Sequence, residues 1–168
     1  MDATFGINFL PCLGQMARLL NRNFIIGITG SIAAYKAAEI TRELIREGAN
    51  VRVVMTEGAC EFITPLTMQA LSGNPVHTGL LDTEAEAAMG HIELARWADS
   101  IVVAPASADS IARPVQGRAD DLLGACVLAT PAPIFVAPAI NQEMSPTRQT
   151  RSTFVFLDSA ALGPSAPV

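Results

Sequence analysis

The sequence has 168 residues, of which half are hydrophobic and 16% are charged, and its formal net charge is −5. This length fits one domain with a single core and leaves no room for a second catalytic domain. The acidic balance and the lack of a basic cluster exclude the positive surface by which proteins bind nucleic acid. The high hydrophobic content fits either strands buried on both faces or a subunit interface, and we expect an oligomer.

The cysteines and the N-terminus indicate the compartment. The three cysteines form no Cys-x-x-Cys pair, so neither a disulfide framework nor a metal site is predicted. No basic residue precedes Arg18, whereas a secretory signal starts with basic residues. We therefore expect a cytoplasmic protein.

Strands and helices alternate along the chain after an N-terminal extension, residues 1–22, that has no clean periodicity. The apolar run 24–29 predicts a first strand, and the helical spacing of polar residues over 31–47 predicts an amphipathic helix that stops at Gly48. Further strands are predicted at 51–55, 101–104 and 134–137, with helical segments between them. Such alternation is typical of βαβ units around a parallel sheet with helices on both faces.

The uncharged run 122–140 raises the question of a membrane span. Three prolines interrupt it, whereas a span needs about 20 helix-compatible residues. We interpret the run as a helix end, a turn and a buried strand, and expect no membrane partner.

Small and hydroxylated residues follow the predicted strands, where the carboxyl ends of a parallel sheet bind ligands. They occupy positions 29–32, 56, 105–109 and 138–141. After the first strand, the backbone amides of Ser31, Ile32 and Ala33 are predicted to be free at a positive helix end, which suits a phosphate. A serine that only caps the helix is about equally well supported.

The two histidines and an acidic pair each have a structural alternative. His91 is either a reactive histidine or a surface residue that caps a short helix, and His77 is assigned to a turn. Asp120 and Asp121 favour a helix cap over a metal or acid pair. Asn141 could bind a carboxylate or amide at the end of the last strand, although by itself it is a loop asparagine.

Seven motifs occur in the same order as in the flavin-containing cysteine decarboxylases, which the chain resembles over about residues 23–144. The resemblance is closest to the decarboxylase domain of the bacterial bifunctional phosphopantothenoylcysteine decarboxylase/phosphopantothenate–cysteine ligases. The motifs are Gly30-Ser-Ile-Ala-Ala-Tyr-Lys36, Val54-Met-Thr-Glu57, Phe62-Ile-Thr-Pro-Leu66, Gly90-His-Ile-Glu-Leu94 with Trp97-Ala-Asp99, Ala104-Pro-Ala-Ser-Ala-Asp109, Ala119-Asp-Asp-Leu122, and Pro138-Ala-Ile-Asn141 with Met144.

The resemblance implies a Rossmann-like (flavodoxin-like) three-layer fold and an enzyme that uses FMN. The implied reaction is decarboxylation of 4'-phosphopantothenoylcysteine toward 4'-phosphopantetheine in coenzyme A biosynthesis, by a homo-oligomer (trimer or dodecamer) with its site between subunits. The implied catalytic residues are His91 and Asn141, and the implied substrate contacts are Asn141, Met144 and Arg96. The implied cofactor contacts are Gly30, Ser31, Ile32, Thr56, Ser107, Ala108, Asp109, Ser110 and Ala139.

The sequence departs from the family pattern at three places. Ile140 stands where the family's motif has methionine, a mild exchange of similar volume. Pro114 lies where the family continues a helix, so we expect a shortened helix or a weakened flavin loop.

The third departure is the tail, residues 145–168, which we expect to be divergent and disordered, with the last strand and the cysteine-containing substrate clamp missing. No cysteine follows Cys126. We expect no ligase activity and an incomplete reaction that stops at the enethiol. The alternatives are a non-catalytic FMN-binding or regulatory subunit and a non-functional fragment.

Overall fold

The structure, a computed structural model, describes residues 18–79 and 90–141. Strands and helices alternate along these residues. The strands are β1 (Asn23–Ile28), β2 (Asn50–Met55), β3 (Val76–His77), β4 (Ser100–Ala106) and β5 (Ile134–Pro138). The helices are a 3-10 turn (Ile32–Ala34), α1 (Tyr35–Arg46), α2 (Glu57–Cys60), α3 (Pro65–Ser72), α4 (His91–Trp97), α5 (Ala108–Val115) and α6 (Leu122–Ala129).

The strands form one parallel sheet in the order β3-β2-β1-β4-β5, with a core on each face. Successive side chains of a strand point to opposite faces. Ile25 accordingly packs in the cluster that includes residues of α4, α5 and α6, whereas Ile26 and Ile28 pack in the cluster that includes residues of α1, α2 and α3. The predicted Rossmann-like three-layer fold is therefore confirmed.

The strand order positions the ligand edge. From β1 the chain moves outward to β2 and β3, and it then crosses back to place β4 on the other side of β1. The connections that follow β1 and β4 run to opposite faces of the sheet, which leaves a crevice between them at the carboxyl ends of the strands.

Two predictions for the first half of the chain differ from the observed elements. The predicted helix 31–47 begins as the 3-10 turn and becomes α-helical only at Tyr35, because the hydroxyl of Ser31 accepts from the Ala33 amide and tightens the first turn. His77, assigned to a turn, lies in β3 and is only 4% exposed. A strand of two residues is too short to show an alternating pattern.

The last predicted strand was expected to be buried, and this is wrong for β5. The strand has no fully buried residue, and Phe135 is 56% exposed. The reason is its place in the sheet: among the described residues, β5 is bonded only to β4, so its other edge carries no neighbouring strand.

The prediction for Pro114 is a shortened helix or a weakened flavin loop. Pro114 lies one residue before the end of α5, where its missing N–H interrupts only the last turn. Across the parts of the chain that the structure covers, no helix has the length and apolar character needed to cross a membrane.

Candidate functional site

Thr29 joins the loops that follow β1 and β4. Its hydroxyl donates to the carbonyl oxygen of Pro105 at 2.7 Å and accepts from the amide of Ser107 at 2.8 Å, and the residue is 1% exposed. The two loops are therefore held together by buried hydrogen bonds at the crevice where the strand order reverses.

Gly30 brings the loop after β1 against the start of α2. A Cβ atom on Gly30 would lie 3.1 Å from the carbonyl carbon and the carbonyl oxygen of Gly58, tighter than ordinary contact. A glycine is needed here because the backbones approach so closely. The gap between the loop after β1 and the start of α2 is thus bordered here by the backbones of Gly30 and Gly58 and not by side chains.

The loop after Gly30 offers donors to an anion. Ser31 caps the 3-10 turn, and its Oγ accepts from the Ala33 amide at 3.3 Å. The Ala33 amide, predicted to be free, is therefore already bonded. The amides of Ser31 and Ile32 make no hydrogen bond to any other residue in the described ranges. These two N–H groups, at a positive helix end, can bind a phosphate.

Thr56 and Ser107 occupy equivalent positions directly after β2 and β4, the two strands that flank β1. Each caps the helix that follows its strand: Thr56 Oγ1 accepts from the Ala59 amide at 3.3 Å, and Ser107 Oγ accepts from the Ser110 amide at 3.3 Å. An accepting hydroxyl keeps its own proton, so both can still donate to a ligand.

The other predicted cofactor contacts of the β4 loop lie in the first turn of α5. Ala108 begins the helix, and Ser110 donates its hydroxyl to the Ser107 carbonyl at 2.9 Å. Asp109 is exposed and forms an ion pair with Arg113. Ala108 and Ser110 thus border the crevice with neutral atoms, while Asp109 adds a negative charge that is partly compensated.

The loop after β5 reaches the same edge. The Ala139 amide donates to the Ala106 carbonyl at 2.9 Å, which ties this loop to β4. Asn141 follows on this loop and is exposed, while Ile140 packs against the apolar core. The core contact of Ile140 agrees with the expected mild exchange for methionine.

His91 is the first residue of α4, which Gly90 caps without a side-chain hydrogen bond. Because α4 leads into the parallel strand β4, its first turn lies toward the carboxyl ends of the strands. The histidine is half-buried, not fully exposed. The fold therefore places His91 toward the edge of the sheet at which four loops lie, namely those that follow β1, β2, β4 and β5.

Two predicted residues are not brought to the site: one is placed elsewhere and the other lies outside the described residues. Arg96 is exposed in the last turn of α4, at the end where the Asn23 side chain donates to the Trp97 carbonyl at 3.1 Å. Because Asn23 begins β1, Arg96 lies toward the opposite edge of the sheet, and the fold of one chain does not bring it to the four loops. Met144 lies outside the described residues.

The acidic pair is structural, as predicted. Asp121 caps α6: its Oδ1 accepts from the Gly124 amide at 2.7 Å, and its Oδ2 lies 3.0 Å from Arg113. Asp120 forms an ion pair with Arg118. Within the described ranges, no three His, Cys, Asp or Glu side chains are grouped as metal ligands would be.

The two described cysteines are neutral thiols. Burial, with the neighbouring carboxylates of Glu61 and Glu57, raises the pKa of the Cys60 thiol. Burial, with the charge of Asp121, raises the pKa of the Cys126 thiol to about 12. A thiol acts as a nucleophile only as the thiolate, so neither cysteine is activated for nucleophilic chemistry near pH 7.

A cavity of about 620 Å³ lies between α5, α6 and β5. Its lining is largely apolar, with Ser110, Arg113, Asp121 and Thr130 as its polar residues. Of the predicted cofactor contacts, only Ser110 lines it. The cavity is therefore distinct from the crevice of the four loops, and size alone does not identify the site.

Thr29 belongs to the predicted ligand edge, residues 29–32, but no specific role was predicted for it, and Gly58 was not predicted as a site residue. Thr29 is the polar residue that ends the apolar run 24–29, and Gly58 follows the cap Thr56 by two positions. A hydroxyl at a strand end was the available signal for Thr29. No local pattern shows that Gly58 lies against Gly30.

We expect Thr29→Val to lower the free energy of unfolding by about 2 kcal/mol, because the Pro105 carbonyl and the Ser107 amide would both lose a buried partner. Chemical denaturation of both proteins measures the change. Thr41→Val is the matched control, since the buried Thr41 hydroxyl has no partner among the described residues. Its stability should be unchanged or higher, and an equal loss in both variants would contradict the role of Thr29.

Comparison with known proteins shows what the chain is similar to. The model of the family described as Flavoprotein matches residues 15–167, which extends past both ends of the resemblance over 23–144. The coenzyme A biosynthesis bifunctional protein CoaBC of Vibrio cholerae is 53% identical over 154 residues, 90% of this chain and 39% of that protein. The chain thus spans about two fifths of the length of this curated relative.

Two solved structures share the fold. The FMN-dependent cysteine decarboxylase SpaF superimposes with a TM-score of 0.77 at 28% identity, over 84% of this chain and 82% of that one. A PPC decarboxylase mutant, complexed with pantothenoylaminoethenethiol, superimposes with a TM-score of 0.69 at 30% identity, over 83% and 78% of the two chains.

Proposed function

This chain belongs to the Flavoprotein family, and from that premise we propose that it binds FMN and decarboxylates 4'-phosphopantothenoylcysteine toward 4'-phosphopantetheine in coenzyme A biosynthesis. The observation that carries the proposal is the crevice at Gly30. There, a Cβ atom on Gly30 would be crowded against the backbone of Gly58, next to two amides without a partner in the described ranges. The similarity to CoaBC and to PPC decarboxylase supplies the substrate and the reaction.

The residues at the crevice fit the phosphate of FMN. The amides of Ser31 and Ile32 would bind the phosphate oxygens, and the hydroxyls of Ser31 and Thr56 would donate further hydrogen bonds. These donors are neutral, so they suit a chain with a net charge of −5 and no basic cluster. Ser107, the first turn of α5 and Ala139 would contact the remainder of the cofactor.

FMN, when bound, supplies the two-electron oxidation of the substrate's cysteine thiol that makes loss of carbon dioxide possible. His91 would orient the thiol or take up its proton, because an imidazole within hydrogen-bond reach of a reacting group serves as a general base. Asn141 would hold the substrate carboxylate or amide with its side-chain amide. Met144, which lies close to Asn141 in the sequence, would also contact the substrate. A carboxylate held by a neutral amide keeps its charge until the carbon–carbon bond breaks.

The assembly and the compartment belong to the same proposal. A homo-oligomer, a trimer or dodecamer, would complete the site between subunits and could bring Arg96 of one copy to the site of another. The free thiols Cys60 and Cys126 agree with a reducing cytoplasm.

The experiment that tests the proposal uses the purified chain with added FMN and 4'-phosphopantothenoylcysteine. We expect a yellow protein whose Tm rises with FMN, because a ligand that binds only the folded state adds about 2.7 kcal/mol of stability at 100 times its Kd. We also expect release of carbon dioxide from the substrate.

The outcomes separate the alternatives. A folded, colourless protein whose Tm ignores FMN would contradict the proposal. A yellow protein without release of carbon dioxide would instead identify a non-catalytic FMN-binding subunit, and a chain that does not fold with FMN would identify a non-functional fragment.

A further inference from the structure

The helix that carries His91 is short and depends on its neighbours for its position. It has seven residues, and its N-cap, Gly90, provides no side-chain hydrogen bond to the first turn. An isolated helix of this length is not stable in water, so tertiary contacts fix it. Leu94 and Ala95 are fully buried in the core, and the far end is held by the bond from Asn23 to the Trp97 carbonyl.

The other support of α4 comes from two side chains, Cys126 in α6 and Thr130, the C-cap residue of α6. Cys126 Sγ donates to the carbonyl oxygen of His91 at 3.8 Å, and Thr130 Oγ1 donates to the carbonyl oxygen of Ala95 at 3.1 Å. Cys126 and Thr130 are four residues apart, and their acceptors His91 and Ala95 are also four residues apart. Residues at this spacing lie on the same face of a helix. The contacts therefore act one turn apart on the same pair of helices.

Both donors are in a state that sustains the contact. The Cys126 thiol is buried and its raised pKa keeps its proton in place near pH 7. The Thr130 oxygen accepts from the Ala132 amide at 3.1 Å, which leaves its own proton for the Ala95 carbonyl. Because S–H donors are weak, Thr130 provides the stronger of the two contacts.

We propose that Cys126 and Thr130 are positioning residues, which set the place of α4 against α6 and thereby the place of His91 at the ligand edge. The inference rests on the proposed role of His91. Reaction rates are sensitive to such placement: a displacement of about 1 Å can lower a rate about 100-fold. Neither side chain is assigned a contact with substrate or cofactor, so both act through α4.

The test compares Thr130→Val, which keeps the shape and removes the hydroxyl, with Thr130→Ser, which keeps the hydroxyl. With FMN-loaded protein we expect Thr130→Val to lower kcat about 10-fold, with little change in KM or FMN affinity, and Thr130→Ser to restore most of kcat. Thr41→Val is the control for the same exchange in α1, where the Thr41 hydroxyl is buried without a partner among the described residues, and it should leave kcat unchanged.

A second measurement does not depend on activity. The chain has two histidines, so an NMR spectrum contains two sets of imidazole signals, and buried His77 provides an internal reference. We expect Thr130→Val to shift the His91 signals and to leave those of His77 in place. If the parent protein binds FMN but releases no carbon dioxide, the proposed function fails while this measurement still decides the positioning role.

The inference is overturned if folded Thr130→Val keeps both kcat and the His91 signals of the parent. It is also overturned if Thr130→Ser is as impaired as Thr130→Val, because the methyl group and not the hydroxyl would then matter. Should Thr130→Val fail to fold, Cys126→Ala and Cys126→Ser form the corresponding pair. The serine must then keep the His91 signals and kcat closer to the parent than the alanine does.

Discussion

Replacing His91 by asparagine is expected to lower kcat/KM for decarboxylation by about 10²- to 10⁴-fold, the range that a positioned acid-base group contributes. Asparagine retains a hydrogen-bonding side chain but cannot take up a proton near pH 7. The position itself should tolerate the change, because His91 is half-buried at the first position of a helix. Release of carbon dioxide under steady-state conditions, together with FMN titration, measures both consequences.

Glu93→Gln is the control for this prediction, since Glu93 is exposed on the same helix. It removes a charge from the first turn and should retain the parent rate. A His91→Asn variant with the parent rate and the parent FMN affinity would remove His91 from the mechanism. If the protein has a biological activity that His91→Asn leaves unchanged, that activity depends on binding and not on turnover.

Replacing Gly30 by alanine is expected to weaken FMN binding by about 10- to 100-fold. The added Cβ would lie 3.1 Å from two backbone atoms of Gly58, which cannot rotate away as a side chain would. Overpacking of this kind costs about 1–3 kcal/mol, and 1.4 kcal/mol corresponds to a tenfold change in affinity. The shift of the loop also displaces the amides of Ser31 and Ile32. Quenching of flavin fluorescence on binding measures Kd for parent and variant.

Gly58→Ala is the matched control because it adds a Cβ on the other side of the same contact. That atom would lie 3.5 Å from the Gly30 Cα, an ordinary van der Waals distance. Its Kd should stay within a few-fold of the parent. Equal affinities for the Gly30→Ala variant and the parent would show that the crevice is not the phosphate site.

The central strands could be predicted because their side chains are buried on both faces. In β1 and β4 this burial requires largely apolar runs, which are visible in the sequence. In β2 the apolar residues from Val51 to Met55 are interrupted only by Arg52. The edge strands gave poorer predictions. The sequence of β3 is too short for a pattern, and the apolar sequence of β5 predicts burial that a strand with one bonded neighbour does not attain.

The candidate site, too, could be predicted from the sequence only in part. Small and hydroxylated residues after each strand indicated the edge, because a parallel sheet places all strand carboxyl ends together. Which amides are free could not be predicted, since the Ser31 hydroxyl turns back to the Ala33 amide. The end of the sheet at which Arg96 lies also depends on the direction and length of α4.

The sequence by itself determined the fold class, the ligand edge and the family resemblance, because these depend on local periodicity and on motifs that are continuous in the chain. Only the tertiary structure decided that Gly30 meets Gly58, that Thr29 joins two loops, and that α6 supports the helix of His91. The physical reason is that these contacts join residues 28 to 78 positions apart. Their distances follow from how helices and strands pack, which no local sequence pattern records.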